Sequence, residues 1–310
     1  MATFYNKATL SYNGNVTDSN ITTGEIVEVL SASKNAVRDS YGRNDMVTYV
    51  VNFVNSGDTN FTDLTLTDDL GRYRSEIANA DVVPLNYVND SVNFYVNGVK
   101  QETPTVSSTS PLTIEGLNVP AKGNASVVYN ARTNDFAPLG ENAVINNTVN
   151  ITGNGILNPV TAAAAISHAN DADLDISKSL NPAVVPENGT VTYTFTILNN
   201  GSAPAEASDN VIFRDVFNPV LNISSVTFNG TPWTRNTEYT YTDDGTFTST
   251  NGSITVPAAT YTQNPDTGAW AVNPGVSTLI ITGSIAPSAS TPPTIPTTPT
   301  TPETPVTPAR

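Results

Sequence analysis

The sequence predicts an all-β protein built as two tandem β-sandwich modules. Composition is the first observation. Thr, Asn, Val and Ser dominate, there are 19 Gly and 22 Pro, and charged residues make up only 13%. That mixture suits short strands joined by polar turns, not long helices. The second is an internal repeat. SASKNAVRDSYGRNDMVTYVVNFVNSG, from Ser31, returns as DISKSLNPAVVPENGTVTYTFTILNNG, from Asp175, and in both the lysine (Lys34, Lys178) precedes a tyrosine (Tyr49, Tyr193) by fifteen residues. The third is alternation. Val47, Tyr49, Val51 and Phe53 share one strand face, as do Val191, Tyr193, Phe195 and Ile197, the pattern of strands with one buried side.

In chain order, residues 1–23 read as an N-terminal strand and linker, and residues 24–155 as the first module. Residues 156–170 read as a linker, 171–286 as the second module and 287–310 as a tail. After the V-T-Y strands come LTLTDDLG and VIFRDVFN, each with an acid near its end. FYVNG (94–98) then matches VTFNG (226–230), and ASVVYNA (125–131) matches STLIITG (277–283).

These segments resemble a bacterial surface-protein repeat family, the domain of unknown function eleven. Its pattern is a first-strand lysine, then V-T-Y-T, N-T-G, T-D-x-L and a late N-T-A-T-V strand. The likeness spans residues 24–286 in two copies. The lysine, V-T-Y and acid elements match, and the loops depart. The resemblance implies two tandem immunoglobulin-like β-sandwiches and a role in surface architecture. By itself it implies no ligand.

The two modules end differently. Module one runs on to AVINNTVNITGNG, the family's closing strand, whereas module two passes from STLIITGSIA into PSASTPPTIPTTPTTPETPVTPAR. Prolines every few residues forbid a ladder strand there, so the tail is expected to be extended and disordered. A matching closing strand lies at the front. FYNKATLSYNG (4–14) overlays INNTVNITGNG, with Asn6 on Asn147, Ala8 on Val149 and Leu10 on Ile151. A sandwich short of one strand leaves an apolar groove and an open edge, and a strand from another copy would fill both. Phe4, Asn6, Ala8 and Leu10 are therefore the candidate polymerisation face of a donor-type strand. Head-to-tail contacts of this kind grow into filaments. Self-closure stays open as an alternative, because an extended chain from Asn13 to Val27 reaches up to about 46 Å.

Strand parity also places polar residues inside. Lys34 shares a face with Leu30 and Ala32, and Lys178 with Leu174 and Ile176. Asp68 lies with Leu64 and Leu66, and Asp215 with Val211 and Phe213. Asn147 lies with Ile145, Val149 and Ile151. Asp69 and Asn146 have the opposite parity. A buried lysine and aspartate must pair or lose charge. One outcome is a plain buried salt bridge. The other is an isopeptide bond, in which a neutral lysine attacks the asparagine while Asp68 or Asp215 acts as the acid. Lys34, Asp68 and Asn147 would crosslink module one, and Lys178 and Asp215 would act on Asn6 of another copy. The arrangement is similar to that of crosslinked pilin and adhesin sandwiches.

Other functions find less support. A net charge of −15 argues against nucleic acid as a partner. With no cysteine and a single histidine, His168, the chain offers no thiolate site, no multi-His metal site and no Ser-His-Asp triad. No cofactor is implied, and no enzyme activity beyond autocatalytic crosslinking. Asp171, Asp173 and Asp175 are a weak calcium candidate beside the plainer reading of a solvated acidic hinge. Asn-x-Ser/Thr triplets at Asn15, Asn60 and Asn188 arise readily in such a composition. Trp233 and Trp270 are candidate binding aromatics, with partial burial on module two as the plainer reading. MATFYNKATL lacks the features of a secretory signal, and no run has transmembrane length. The expectation is a structural subunit of a bacterial surface fibre or spore appendage whose partners are copies of itself. Its place is extracellular or on the cell or spore surface, reached by assembly inside a sporulating cell and release. A monomeric cell-surface adhesin or binding module is the alternative.

Overall fold

The computed structural model describes residues 2–13, 15–26, 28–186 and 188–285. The Pro/Thr-rich tail lies outside the described residues. The described chain is all-β, with one short 3-10 turn at Ala207–Asp209 and no α-helix. It divides into two compact units. Unit 1 runs to Asp171 and also takes in Ala259–Asn273, whereas unit 2 comprises Ala172–Ala258 and the described chain from Pro274 onward.

The N-terminal segment forms β1 (Ala2–Asn6), β2 (Thr9–Tyr12), β3 (Asn15–Asp18) and β4 (Thr22–Ile26). β1 pairs with β4 and β2 with β3, all antiparallel. The single strand expected over residues 4–14 is thus interrupted at Lys7 and Ala8. There the Lys7 ammonium meets the Asp18 carboxylate at 2.5 Å and the Ala8 amide donates to the Ser19 hydroxyl. Every described side chain from Thr3 to Thr23 is exposed.

Unit 1 is a two-layer sandwich. Its first sheet contains β5 (Leu30–Ala36), β6 (Met46–Asn55) and a later strand pairing with β6, with short strands at 85–87, 93–96 and 99–100 beyond. Its second sheet contains β7 (Phe61–Asp68), β8 (Leu112–Val119) and two closing strands. β9 (Asn124–Thr133) belongs to the first sheet, and β10 (Val144–Thr152) and β11 (Val160–His168) to the second. The orders are β5-β6-β9 and β8-β7-β10-β11. Alternation is strict where it decides burial: Val47, Tyr49, Val51 and Phe53 from one sheet meet Leu64, Leu66, Val149 and Ile151 from the other in one core. The stretch expected as a linker carries β11, which pairs with β10 and lies against β5.

Unit 2 repeats the first sheet of unit 1 and only part of the second. β12 (Leu174–Asn181), β13 (Thr190–Asn199), β15 (Leu221–Phe228) and β20 (Gly275–Ile285) form a sheet in the order β12-β13-β20-β15. The opposing sheet has three strands: β14 (Arg214–Val216), β16 (Tyr239–Tyr241) and β17 (Thr246–Ser249), ordered β14-β17-β16. Phe195, Phe213, Phe247, Leu279 and Ile281 fill the core between them.

Two more strands, β18 (Thr260–Gln263) and β19 (Trp270–Asn273), form a hairpin that groups with unit 1. Trp270 was expected on module two. Instead its indole Nε1 donates to the Tyr73 hydroxyl at 3.1 Å and its backbone amide donates to the Asp135 carbonyl at 2.7 Å. Trp233 stays in unit 2 and stacks on Phe228 with ring centroids 5.1 Å apart.

Candidate functional site

In unit 1 the register brings three predicted residues into one buried cluster. Lys34 lies opposite Val51 on β6, Asp68 ends β7, and β10 pairs with β7 so that Val149 faces Asp68 and Asn147 follows two residues along the same face. All three residues are buried. The Lys34 Nζ lies 2.9 Å from the Asp68 Oδ2, both side chains being fully enclosed. The Leu70 amide donates to the Asp68 Oδ1 at 2.8 Å, and the Tyr129 hydroxyl donates to Oδ2. Asn146 is exposed, as parity requires, whereas Asp69 is half-buried and its Oδ1 accepts from the Gly71 and Thr148 amides.

Aromatic rings complete the enclosure. The Lys34 Nζ sits 4.8 Å from the Tyr49 ring centroid and 6.0 Å from that of Tyr129, and the two rings stack at 5.6 Å. Sequence reasoning assigned no role to Tyr129. The signal was its place in the inward alternation of ASVVYNA, on the strand that pairs Tyr129 with Tyr49.

Burial sets the electrostatics. It pulls the Lys34 ammonium below its ordinary value, against the opposing pull of Asp68. It also pushes the Asp68 carboxyl up, against the opposing effect of Lys34. Both directions work against the charged forms of the pair. The Asn147 Oδ1 accepts from the Gly71 amide at 3.1 Å, while among the described residues the buried Asn147 Nδ2 and Tyr49 hydroxyl, which lie beside each other, make no well-formed hydrogen bond. An unpaired buried amide nitrogen is costly in a finished core. In a reacting carboxamide, that nitrogen is the atom that leaves.

Unit 2 assembles part of the same constellation in the open. The Lys178 Nζ lies 2.6 Å from the Asp215 Oδ2, but their side chains are 43% and 19% exposed. The lysine again sits over aromatic rings, 4.8 Å from Tyr193, 5.3 Å from Phe195 and 5.4 Å from Phe217. Of the expected inward face, Leu174 is partly buried against the core, whereas Ile176 is 57% exposed and Lys178 is exposed with it. The reason is topological. β14 pairs with β17 on one side, as β7 pairs with β8, yet among the described residues no strand lies where β10 and β11 cover unit 1. Asn6 pairs with Thr22 in the N-terminal segment.

The remaining candidates do not converge. Among the described residues no three His, Cys, Asp or Glu side chains gather to hold a metal ion. Asp175 accepts from the Asn200 Nδ2 at 3.3 Å. Among the described residues no helix is long and apolar enough to cross a membrane.

No family model matches the chain, so that comparison gives no support to the repeat-family resemblance, and no curated protein matches either. Comparison with solved structures finds distant similarities. The major pilin subunit of Bacillus cereus is 9% identical, with 88% of this chain and 73% of that chain covered and a TM-score of 0.35. The pilus backbone of Streptococcus pneumoniae is 12% identical, with 79% and 55% covered and a TM-score of 0.30. A family 123 glycoside hydrolase from Clostridium perfringens is 13% identical with a TM-score of 0.29. The match covers 45% of this chain and only 27% of the hydrolase. At these values the comparisons leave function to be argued from the chain's own residues.

Proposed function

We propose that the protein is a structural subunit of a bacterial surface fibre or spore appendage that joins head to tail. The N-terminal segment of one copy completes unit 2 of another. One observation carries this reading: Lys178 and Asp215 sit paired on an uncovered face, at the positions where unit 1 buries Lys34 and Asp68 beneath β10. The donor is equally unspent, with Phe4, Asn6, Ala8 and Leu10 all exposed. An uncovered apolar face and an unpaired strand edge are relieved together by β-strand addition.

The same chemistry supports covalent locking. The neutral Lys34 amine attacks the Asn147 Cγ, forming a C–N bond. Asp68 delivers a proton to the Asn147 nitrogen, which leaves as ammonia, and recovers one from the new amide nitrogen. The products are one amide crosslink and one ammonia, with no oxidant or cofactor. Lys178, Asp215 and the incoming Asn6 would repeat the step between copies.

Electron microscopy of the purified protein is the direct test. Filaments that vanish on deletion of residues 1–13 support the reading, and filaments that persist sink it. A monomeric adhesin is the second reading. It is favoured by a groove of about 710 Å³ on unit 1, lined in part by Phe94, Val96, Pro104, Glu115 and Asn118. A protein that stays monomeric at all concentrations would select it.

A further inference from the structure

We infer that the donated element is a two-stranded hairpin, β1 with β4, and not a single strand. The inference rests on the polymer reading above and refines it. Among the described residues unit 2 lacks two neighbouring strands, because both β10 and β11 of unit 1 are without equivalents there. The N-terminal segment holds a pair with the matching register. In unit 1, Ile145 pairs with Ile166, Asn146 with Ala165 and Asn147 with Ala164. At the N-terminus, Phe4 pairs with Gly24, Tyr5 with Thr23 and Asn6 with Thr22. Asn6 thus occupies in its hairpin the place that Asn147 occupies in the β10–β11 hairpin. Phe4 and Gly24 divide between them the bulk that two isoleucines share in unit 1, and the Phe4 ring lies across the space a Gly24 Cβ would take.

The acceptor matches on both strands. β11 lies against β5 in unit 1, where Ala32 and Ala36 flank Lys34 and are partly buried. At the same register on β12, Lys178 is flanked by Ile176 and Leu180, which are 57% and 40% exposed. A single strand beside β14 would leave that face bare. A second strand over β12 covers it, and the larger Ile176 and Leu180 suit a cover made of Thr22 and Gly24. Connectivity selects the copy. β11 is followed by residues 169–173 and then by β12, the first strand of a new unit, and β4 is followed by residues 27–29 and then by β5. The β10–β11 hairpin completes the unit upstream of the strand it feeds. By the same rule β1–β4 completes a sandwich upstream of β5, which unit 2 of the same copy is not. An isolated two-stranded hairpin with every described side chain exposed has little to hold it in place, and burial in a second copy supplies that hold.

A disulfide lock tests this in the full chain, which has no native cysteine. Tyr5 and Thr23 are paired residues on the face opposite Phe4 and Asn6, and their equivalents in unit 1, Asn146 and Ala165, stay exposed after the sandwich closes. In the double variant Tyr5→Cys/Thr23→Cys, oxidation ties β1 to β4. Donation of the intact hairpin predicts that the locked protein forms filaments at the wild-type rate, with or without reductant. Filaments lost on oxidation and restored by reductant would show that β1 leaves β4 to be donated alone. That result overturns the hairpin while leaving strand donation standing. Wild-type protein that never assembles overturns both. Thr3→Cys/Glu25→Cys locks the next register, and failure of either pair to oxidise would remove the hairpin itself.

Discussion

Lys34 and Lys178 hold the same register on equivalent strands, opposite Val51 and Phe195, yet the Lys34 side chain is fully buried and that of Lys178 is 43% exposed. The two lysines differ in their cover, and the predictions below follow from that difference.

Removing the acid beside Lys34 should be severe. Asp68→Ala leaves a buried ammonium without its counter-charge, and breaking such a pair costs about 3–5 kcal/mol. The variant should unfold unit 1 at markedly lower denaturant. Its intact mass after complete unfolding should equal the sequence mass, whereas the parent should be lighter by one ammonia. A parent of full sequence mass would leave Lys34 and Asp68 as a plain salt bridge.

The equivalent change in unit 2 should be mild in the isolated chain. Lys178→Ala removes a partly exposed ion pair, worth no more than about 1 kcal/mol, so the thermal midpoint of the monomer should barely move. Its effect should appear in the polymer, as loss of the species that survives boiling detergent. A variant whose filaments still resist boiling would exclude Lys178 as the linking amine.

His168 should give unit 1 a pH dependence. Its ring lies 5.7 Å from both Tyr41 and Tyr261, and burial lowers its pKa from 6.5, with Asp171 opposing. The unfolded chain therefore binds the proton more readily than the fold, and stability rises with pH. The contribution is present above 6.5 and drains as pH falls through that value towards the lower folded one. Melting at a series of pH values between about 5.5 and 7.5 should show this slope, and His168→Gln should flatten it. An unchanged slope in the variant would assign it to other groups.

Tyr73 should anchor the β18–β19 hairpin. Its hydroxyl accepts from the Trp270 Nε1 and from the Gln263 Nε2 at 3.4 Å, and donates to the Phe136 carbonyl at 2.8 Å. Tyr73→Phe should cost about 1 kcal/mol per lost hydrogen bond and speed proteolytic cleavage within 259–273. Cleavage at the parent rate would place the anchor elsewhere.

Much of unit 1 was legible in the sequence because its strands are covered on a fixed side. Period-two alternation then names the buried residue, which is how Lys34, Asp68 and Asn147 could be placed together. The same rule misplaced Ile176 and Lys178, because parity assigns a face and not what covers it. β11 was read as a linker because TAAAA carries little apolar contrast between its faces. The N-terminal pairing was hidden for a related reason. A hairpin whose described side chains are all exposed leaves no hydrophobic period on its second strand, TTGEI. The docking of Trp270 beside Tyr73 joins positions so far apart in sequence that no local pattern reports it.

That last join makes unit 1 discontinuous along the chain, which matters while the protein is being made. The Tyr73 hydroxyl and the Asp135 carbonyl await partners from residues 259–273. At ordinary translation speed the ribosome needs roughly 5–20 s to go from Asp171 to Asn273. For that interval the nascent first unit stands with its Trp270 seat empty, and it is finished only when most of the second has emerged.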